Sequence, residues 1–142
     1  NKNIIILSGG FDPIHKGHIR MFKEASKLGK VILGLNSDKW LERKKNRFFM
    51  SYDERKEILN AIKYIDIIEQ FNDYDDTACD LIQKVYSKYN SEYNIFFGNG
   101  GDRTNKTTPE VEFCNKNNIE MVWGLGGGKI QSSSNLLEKW FK

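Results

Sequence analysis

The 142-residue sequence predicts a doubly wound, Rossmann-like α/β fold: one five-stranded parallel sheet with helices on both faces. Two observations predict it. Five short apolar runs alternate with amphipathic stretches along the whole chain. The runs are near-continuously apolar instead of alternating, as expected of strands buried on both faces by crossover helices. Right-handed crossovers then wind the units into two helical layers.

The elements follow in order. Residues 3–8 (NIIILS) read as a β-branched strand stopped by Gly9-Gly10. Residues 17–28 carry Ile19, Phe22, Ala25 and Leu28 at helical spacing, and Gly29 ends that helix. Residues 31–35 form the second strand. Residues 37–50 are polar and basic and read as a long loop. Ser51 and Glu54 suggest a capping box for a helix to about residue 63. Residues 65–68 are a third strand, and residues 75–89 a helix with Ala78, Leu81, Ile82 and Val85 inward. Residues 93–97 are the fourth strand, followed by the glycine-rich GNGGDRTNKT. Thr108 caps a helix with Pro109 at its first position, where the missing N–H costs nothing. Residues 119–123 are the fifth strand, GLGGGK follows, and residues 132–134 cap a last short helix bearing Leu136, Leu137, Trp140 and Phe141.

Composition narrows the function. Hydrophobic residues at 39% can build a core, which excludes intrinsic disorder. The net charge of +3, from 22 basic and 19 acidic residues, is too small to argue for nucleic acid or a membrane surface. No stretch approaches the roughly 20 apolar residues that span a bilayer, and the apolar opening is too short for a signal peptide. Cys79 and Cys114 form no CxxC pair and read as core thiols of a cytoplasmic protein. Residues 1–142 read as one domain. The opening residue is Asn1, and the expectation is that an upstream segment has been removed or left out.

The only two histidines, His15 and His18, share one loop: Gly9-Gly10-Phe11-Asp12-Pro13-Ile14-His15-Lys16-Gly17-His18. In doubly wound sheets ligands bind beyond the carboxyl ends of the strands. Four unusual loops fall there: residues 9–18, 36–50, 98–107 and 124–132. Glycines let backbone N–H groups approach an anion, and the helix that follows adds its positive end. Two imidazoles aimed at a polyphosphate would stabilise charge that develops in phosphoryl or nucleotidyl transfer. The bland alternative is two surface histidines at a helix start. A zinc site with Asp12 as third ligand lacks a fourth. A dinucleotide site needs G-x-G-x-x-G, which residues 9–14 do not match.

GGFDPIHKGH resembles the HxGH signature of the cytidylyltransferase-like nucleotidyltransferases. That family includes glycerol-3-phosphate, choline-phosphate and ethanolamine-phosphate cytidylyltransferases and the adenylyltransferase domain of ADP-heptose synthase. The resemblance covers essentially the whole chain. It implies that His15 and His18 are catalytic, and that Gly9, Gly10, Phe11, Asp12 and Gly17 bind the nucleotide. In the family a lysine of the second loop contacts phosphates. Here that falls on Arg43-Lys44-Lys45-Asn46-Arg47, with Lys44 preferred and Lys45 its competitor. Arg55, in Ser51-Tyr52-Asp53-Glu54-Arg55, implies substrate binding or a subunit contact; an ordinary surface ion pair is the alternative. Asn36-Ser37-Asp38 resembles the "NSD" of heptose-type members, and Gly100-Gly101-Asp102 the family's "GGD". Asp102 would hold ribose or acceptor hydroxyls and Arg103 a phosphate. Ser132 and Ser133 match the family's Ser-Thr element for the triphosphate tail. The arginine of the cytidylyltransferase form falls on Gly127, with Lys129 the nearest cation.

The resemblance therefore implies transfer of NMP from CTP or ATP to the phosphate of a small sugar or polyol, releasing pyrophosphate. Mg²⁺ would ride on the nucleotide, with no metal site of the protein's own. The partners would be NTP and acceptor, with no nucleic acid and no membrane, in a homodimer. Two other readings stand beside it: a glycerol-3-phosphate or choline-phosphate type cytidylyltransferase, and a nucleotide-binding regulatory domain without turnover.

Overall fold

The computed structural model describes residues 2–100 and 108–127. In chain order they form β1 (Asn3–Gly9), α1 (Lys16–Leu28), β2 (Lys30–Leu35), α2 (Asp38–Lys45) and α3 (Tyr52–Asn60). Then come β3 (Ile67–Gln70), α4 (Cys79–Tyr89), β4 (Asn94–Gly100), α5 (Pro109–Lys116) and β5 (Glu120–Leu125). All five strands lie parallel in one sheet, ordered β3-β2-β1-β4-β5. The chain walks outward from β1 through β2 and β3, returns through α4, and lays β4 on the other flank of β1. That makes the β1/β4 border the topological switch point, where the ends of neighbouring connections diverge and leave a crevice.

β1 shows why the apolar runs are continuous. Ile6 pairs with Ile32 on one side and Phe97 on the other. Side chains alternate across a strand. Ile4 and Ile6 therefore enter a core with Leu81, Ile82 and Val85 of α4 and Cys114 of α5. Ile5 and Leu7 enter the opposite core with Phe22 and Ala25 of α1 and Leu59 of α3. Each such buried side chain contributes about 1.5–3 kcal/mol, so both helical layers are anchored by one strand. Gly34 of β2 allows α4 its close approach, because a Cβ there would fall on the Leu81 side chain.

Five expectations are corrected. Residues 38–45, read as loop, are helix α2. Ser37 caps it by accepting the Trp40 N–H at 3.1 Å, Leu41 is buried beneath it, and Asn46 ends it in the left-handed region at φ 68°. Its cations Arg43, Lys44 and Lys45 occupy the last turn, where the negative end of a helix favours them. The third strand lies two residues later than expected, because Asp66 is used to bridge to Val31: its carboxylate accepts the Val31 N–H at 2.8 Å. The fourth helix starts at Cys79, since Asp75 instead turns the chain by accepting from the Thr77 N–H and hydroxyl. Only the forward half of the expected capping box at α3 is formed, Ser51 Oγ accepting from the Glu54 N–H at 3.3 Å, and the helix stops at Asn60. β4 extends through Gly100, into the expected glycine loop. The last helix expected, after residues 132–134, lies outside the described residues.

Candidate active site

The loop leaving β1 is fixed by burial before it reaches the histidines. Phe11 adopts φ 52°, unfavourable for a side chain of this size, and is held there by its buried ring. The ring meets His18 edge-on at 4.9 Å and Phe22 at 5.4 Å between centroids.

His15 and His18 then cap α1 reciprocally. His15 is the N-cap, and its Nδ1 accepts the Gly17 N–H at 3.1 Å. The His15 N–H donates to Nδ1 of His18 at 3.1 Å. This is the logic of a capping box, with imidazoles in place of the usual hydroxyl and carboxylate. The two rings stack, 3.8 Å between centroids and 24° between planes. Because each Nδ1 accepts a hydrogen bond, the ring proton of each imidazole resides on Nε2. Burial, then the His15 ring, then the Lys45 ammonium pull the pKa of His18 down from 6.5 to about 3. His18 is thus a neutral Nε2–H donor throughout the physiological range. Gly17 permits the stack: a Cβ there would come within 2.9 Å of the His15 ring.

The lysines separate on α2. The Lys44 ammonium lies 3.9 Å from the Asp76 carboxylate. The cation whose charge acts on His18 is Lys45. Adjacent helix positions diverge by about 100°, so Lys44 and Lys45 do not share one direction, and Lys45 is the one whose charge reaches His18.

Two more expected ligand contacts are corrected by burial. Asp12 is 3% exposed, and its oxygens accept the Phe49 N–H at 2.5 Å and the Met50 N–H at 2.8 Å. It anchors the segment between α2 and α3 and has little capacity left for a nucleotide. Arg55 is 1% exposed. Its Nε donates to Met50 O at 2.9 Å, its Nη1 to Gly10 O and Asn36 O at 2.9 and 2.8 Å, and its Nη2 to Asp38 Oδ1 at 2.7 Å. Four of five donors are spent inside the protein, which makes Arg55 a positioning residue that ties the histidine loop to the ends of β2 and α2. Gly9 and Gly10 stand at the strand end as expected. Gly101, Asp102, Arg103, Lys129, Ser132 and Ser133 lie outside the described residues.

The sequence reading missed two groups. Asp73 accepts from Asn36 Nδ2, Ser37 N and Ser37 Oγ at 3.0, 2.7 and 2.8 Å, and so fixes the start of α2. The second is a cavity of about 570 Å³ at the β1/β4 crevice, lined by Gly9, Asn36, Trp40, Asn99, Thr108 and Trp123 among others. Its size suits a small ligand. Trp40 carried no local motif; the α2 helix and the extension of β4 bring it to one cavity with Asn99.

The cytidylyltransferase-like family matches residues 6–127. The chain belongs to that family. As a cytidylyltransferase-like protein it is 29% identical over 143 residues to the bifunctional protein HldE of Syntrophotalea carbinolica, covering 97% of this chain and 27% of that protein. It is 30% identical over 79 residues to the glycerol-3-phosphate cytidylyltransferase of Bacillus subtilis, covering 55% of this chain and 61% of that one. The cytidylyltransferase-like chain thus spans only 27% of the length of the first of these relatives. A lipopolysaccharide core biosynthesis protein from Thermoplasma volcanium shares the fold, with a TM-score of 0.65 over 87% of this chain and 96% of that chain at 19% identity.

Proposed function

We propose that this chain is a nucleotidyltransferase that moves NMP from CTP or ATP to the phosphate of a small phosphorylated sugar or polyol. Such products serve as precursors for cell-envelope or glycan synthesis. One observation carries the reading: a stacked, reciprocally bonded imidazole pair at the start of α1, each ring holding its proton on Nε2, at the carboxyl edge of the sheet. An acceptor phosphate oxygen attacks the α-phosphorus, the bond to the bridging oxygen breaks, and pyrophosphate leaves. His15 and His18 donate to oxygens on which charge builds, and Lys45 adds a cation beside them. No general base is required, because the attacking phosphate is already anionic. Gly9, Gly10 and Gly17 admit the triphosphate close to the backbone. Ser132 and Ser133 would hold its tail, Asp102 a ribose or acceptor hydroxyl, Arg103 and Lys129 further phosphate oxygens, and Lys44 would be the alternative to Lys45 as the phosphate cation.

Mg²⁺ enters as part of the nucleotide substrate; among the described residues no three His, Cys, Asp or Glu side chains converge to hold a metal. The reading places the protein in the cytoplasm as a homodimer, with no nucleic-acid or membrane partner. Among the described residues no helix is long and apolar enough to cross a membrane. A glycerol-3-phosphate acceptor is the second reading, favoured by the similarity to the Bacillus subtilis enzyme of that name. The experiment is a pyrophosphate-release screen of the four NTPs against phosphorylated sugars, polyols and amino alcohols. Sustained release is expected with CTP or ATP and a sugar or polyol phosphate. Nucleotide binding without release from any pair would leave a regulatory domain instead.

A further inference from the structure

We propose that Asp76 is a positioning residue for the reaction: through Arg43 it fixes the last turn of α2, and with it the Lys45 cation at the histidines. The inference rests on the nucleotidyltransferase reading and deepens it. Helix α2 is poorly anchored by its own packing. It has eight residues, of which Leu41 alone is buried. A helix that short is marginal by itself.

Polar contacts hold α2 instead, and residues 73–76, between β3 and α4, supply one at each end. At the start, the Asp73 carboxylate accepts from Asn36 Nδ2, Ser37 N and Ser37 Oγ. At the finish, Arg43 Nε and Nη2 both donate to Asp76 Oδ1, at 3.1 and 2.9 Å. Nη2 also donates to the Asp73 carbonyl at 2.8 Å, and the guanidinium lies 5.6 Å from the centroid of the Tyr74 ring. The segment is itself closed into a turn, the Asp76 N–H donating to Asp73 O at 3.0 Å. One turn of chain thus staples the whole helix.

Asp76 occupies its place against backbone preference. Its φ is 65°, in the left-handed region where glycine is at ease and most other residues are not. An aspartate there puts a carboxylate on Arg43 and divides the cations of the last turn. Arg43 and Lys44 face Asp76 at 2.9 and 3.9 Å, while the charge of Lys45 acts on His18. The Arg43 and Asp76 side chains are 34% and 40% exposed, and an ion pair so open to water adds little stability. Its effect lies in geometry. Lys45 stands seven residues beyond Asp38, about 10 Å along the helix axis. A tilt of about 6° about the helix start moves it by about 1 Å, a misplacement that can cost about 10²-fold in rate.

The test compares Asp76→Gly, Asp76→Asn, Lys45→Met and the double variant Lys45→Met/Asp76→Gly in pyrophosphate release, with the NTP and acceptor that support turnover. Asp76→Gly should lower kcat about ten- to hundredfold with the urea midpoint unchanged, because glycine suits the backbone angle as the exposed ion pair is lost. Asp76→Asn keeps an oxygen for Arg43 and should recover part of the loss. The double variant should be no slower than Lys45→Met alone, since Asp76 acts through Lys45. Asp76 also lines the β1/β4 cavity, and direct contact with a ligand there would make the two losses multiply, which overturns the inference. A lowered urea midpoint with wild-type kcat, the result of a merely structural role, overturns it too. NMR of the His18 ring gives a second reading without turnover. As pH falls from 7, the ring should begin to protonate at a higher pH in Lys45→Met and also in Asp76→Gly. Loss of an anion by itself would move that onset the other way. An onset in Asp76→Gly that is unchanged or lower overturns the inference. No pyrophosphate release from wild type, together with a raised onset in Asp76→Gly, would sink the transferase reading while upholding the staple.

Discussion

Replacing His18 by asparagine and, separately, by glutamine takes apart the two jobs of one side chain. Nδ1 of His18 accepts the His15 N–H at 3.1 Å, which makes it half of the cap on α1. Nε2 carries the proton offered to phosphate. An asparagine oxygen reaches the Nδ1 position and nothing of it reaches Nε2. A glutamine amide reaches Nε2 with an N–H and leaves Nδ1 empty. Loss of an N-cap acceptor costs about 0.5–2 kcal/mol of stability. Loss of one preorganised donor to a developing oxyanion costs about 2.7–4 kcal/mol of transition-state stabilisation, or 10²–10³ in kcat. His18→Asn should therefore stay close to wild type in urea denaturation and fall by 10²–10³ in pyrophosphate release. His18→Gln should be the less stable and the more active of the two. Near-normal turnover in the asparagine variant, or a glutamine variant slower than the asparagine one, would refute the reasoning, provided near-UV circular dichroism shows both folded.

The pH dependence of stability follows from the same residue. With His18 at about 3 in the folded chain and 6.5 unfolded, the unfolded state binds the extra proton. The contribution is complete above 6.5 and is lost as pH falls towards 3. Between pH 7 and pH 5 urea denaturation should register a loss of about 2 kcal/mol in wild type that is absent from His18→Asn; parallel pH profiles would contradict it. Arg55→Met should cost about 3–5 kcal/mol, because it strands Gly10 O, Asn36 O, Met50 O and the Asp38 carboxylate. Asp38→Asn keeps an oxygen acceptor for Nη2 but leaves the buried guanidinium without its counter-charge, and should cost about 1–3 kcal/mol, less than Arg55→Met; equal losses in the two variants would argue against the buried hub.

The fold and the histidine loop were legible because both are written locally. The apolar run Ile4-Ile5-Ile6-Leu7 has no polar position, so it must be buried on both faces, and that requirement alone selects a parallel sheet between helical layers. What escaped is what long-range contacts decide. Asp12 looks like a ligand residue until Met50, 38 positions away, takes its oxygen. Arg55 looks like a surface cation until a guanidinium is seen to bond carbonyls from three separate segments. The helix α2 was hidden by its own basic residues, which resemble a solvated loop but occupy the turn where a helix end prefers them. Missing that helix is also why Lys44 and Lys45 could not be told apart: in a loop neighbours can point anywhere, on a helix they cannot point together.

The capping of α1 carries an argument about the kind of ligand it faces. Among the described helices, α2, α3, α4 and α5 each place an acid in the first turn, while α1 has none. An acid there would contribute about 0.3–1 kcal/mol to the helix through the dipole. The chain forgoes that gain at the one helix whose start faces the histidine loop, and satisfies the end with imidazoles. A carboxylate in the same place would repel a triphosphate. A pair of cationic side chains would grip pyrophosphate as firmly after transfer as before it. Imidazoles whose Nδ1 atoms are used internally escape both difficulties. They leave the positive end of the dipole uncancelled, they donate without carrying full charge, and their hydrogen bonds strengthen as charge moves onto the oxygens they touch. Binding that grows along the reaction coordinate is what accelerates a chemical step. The low pKa of His18 is then part of the same arrangement, because the burial that sets it also fixes the ring before substrate arrives.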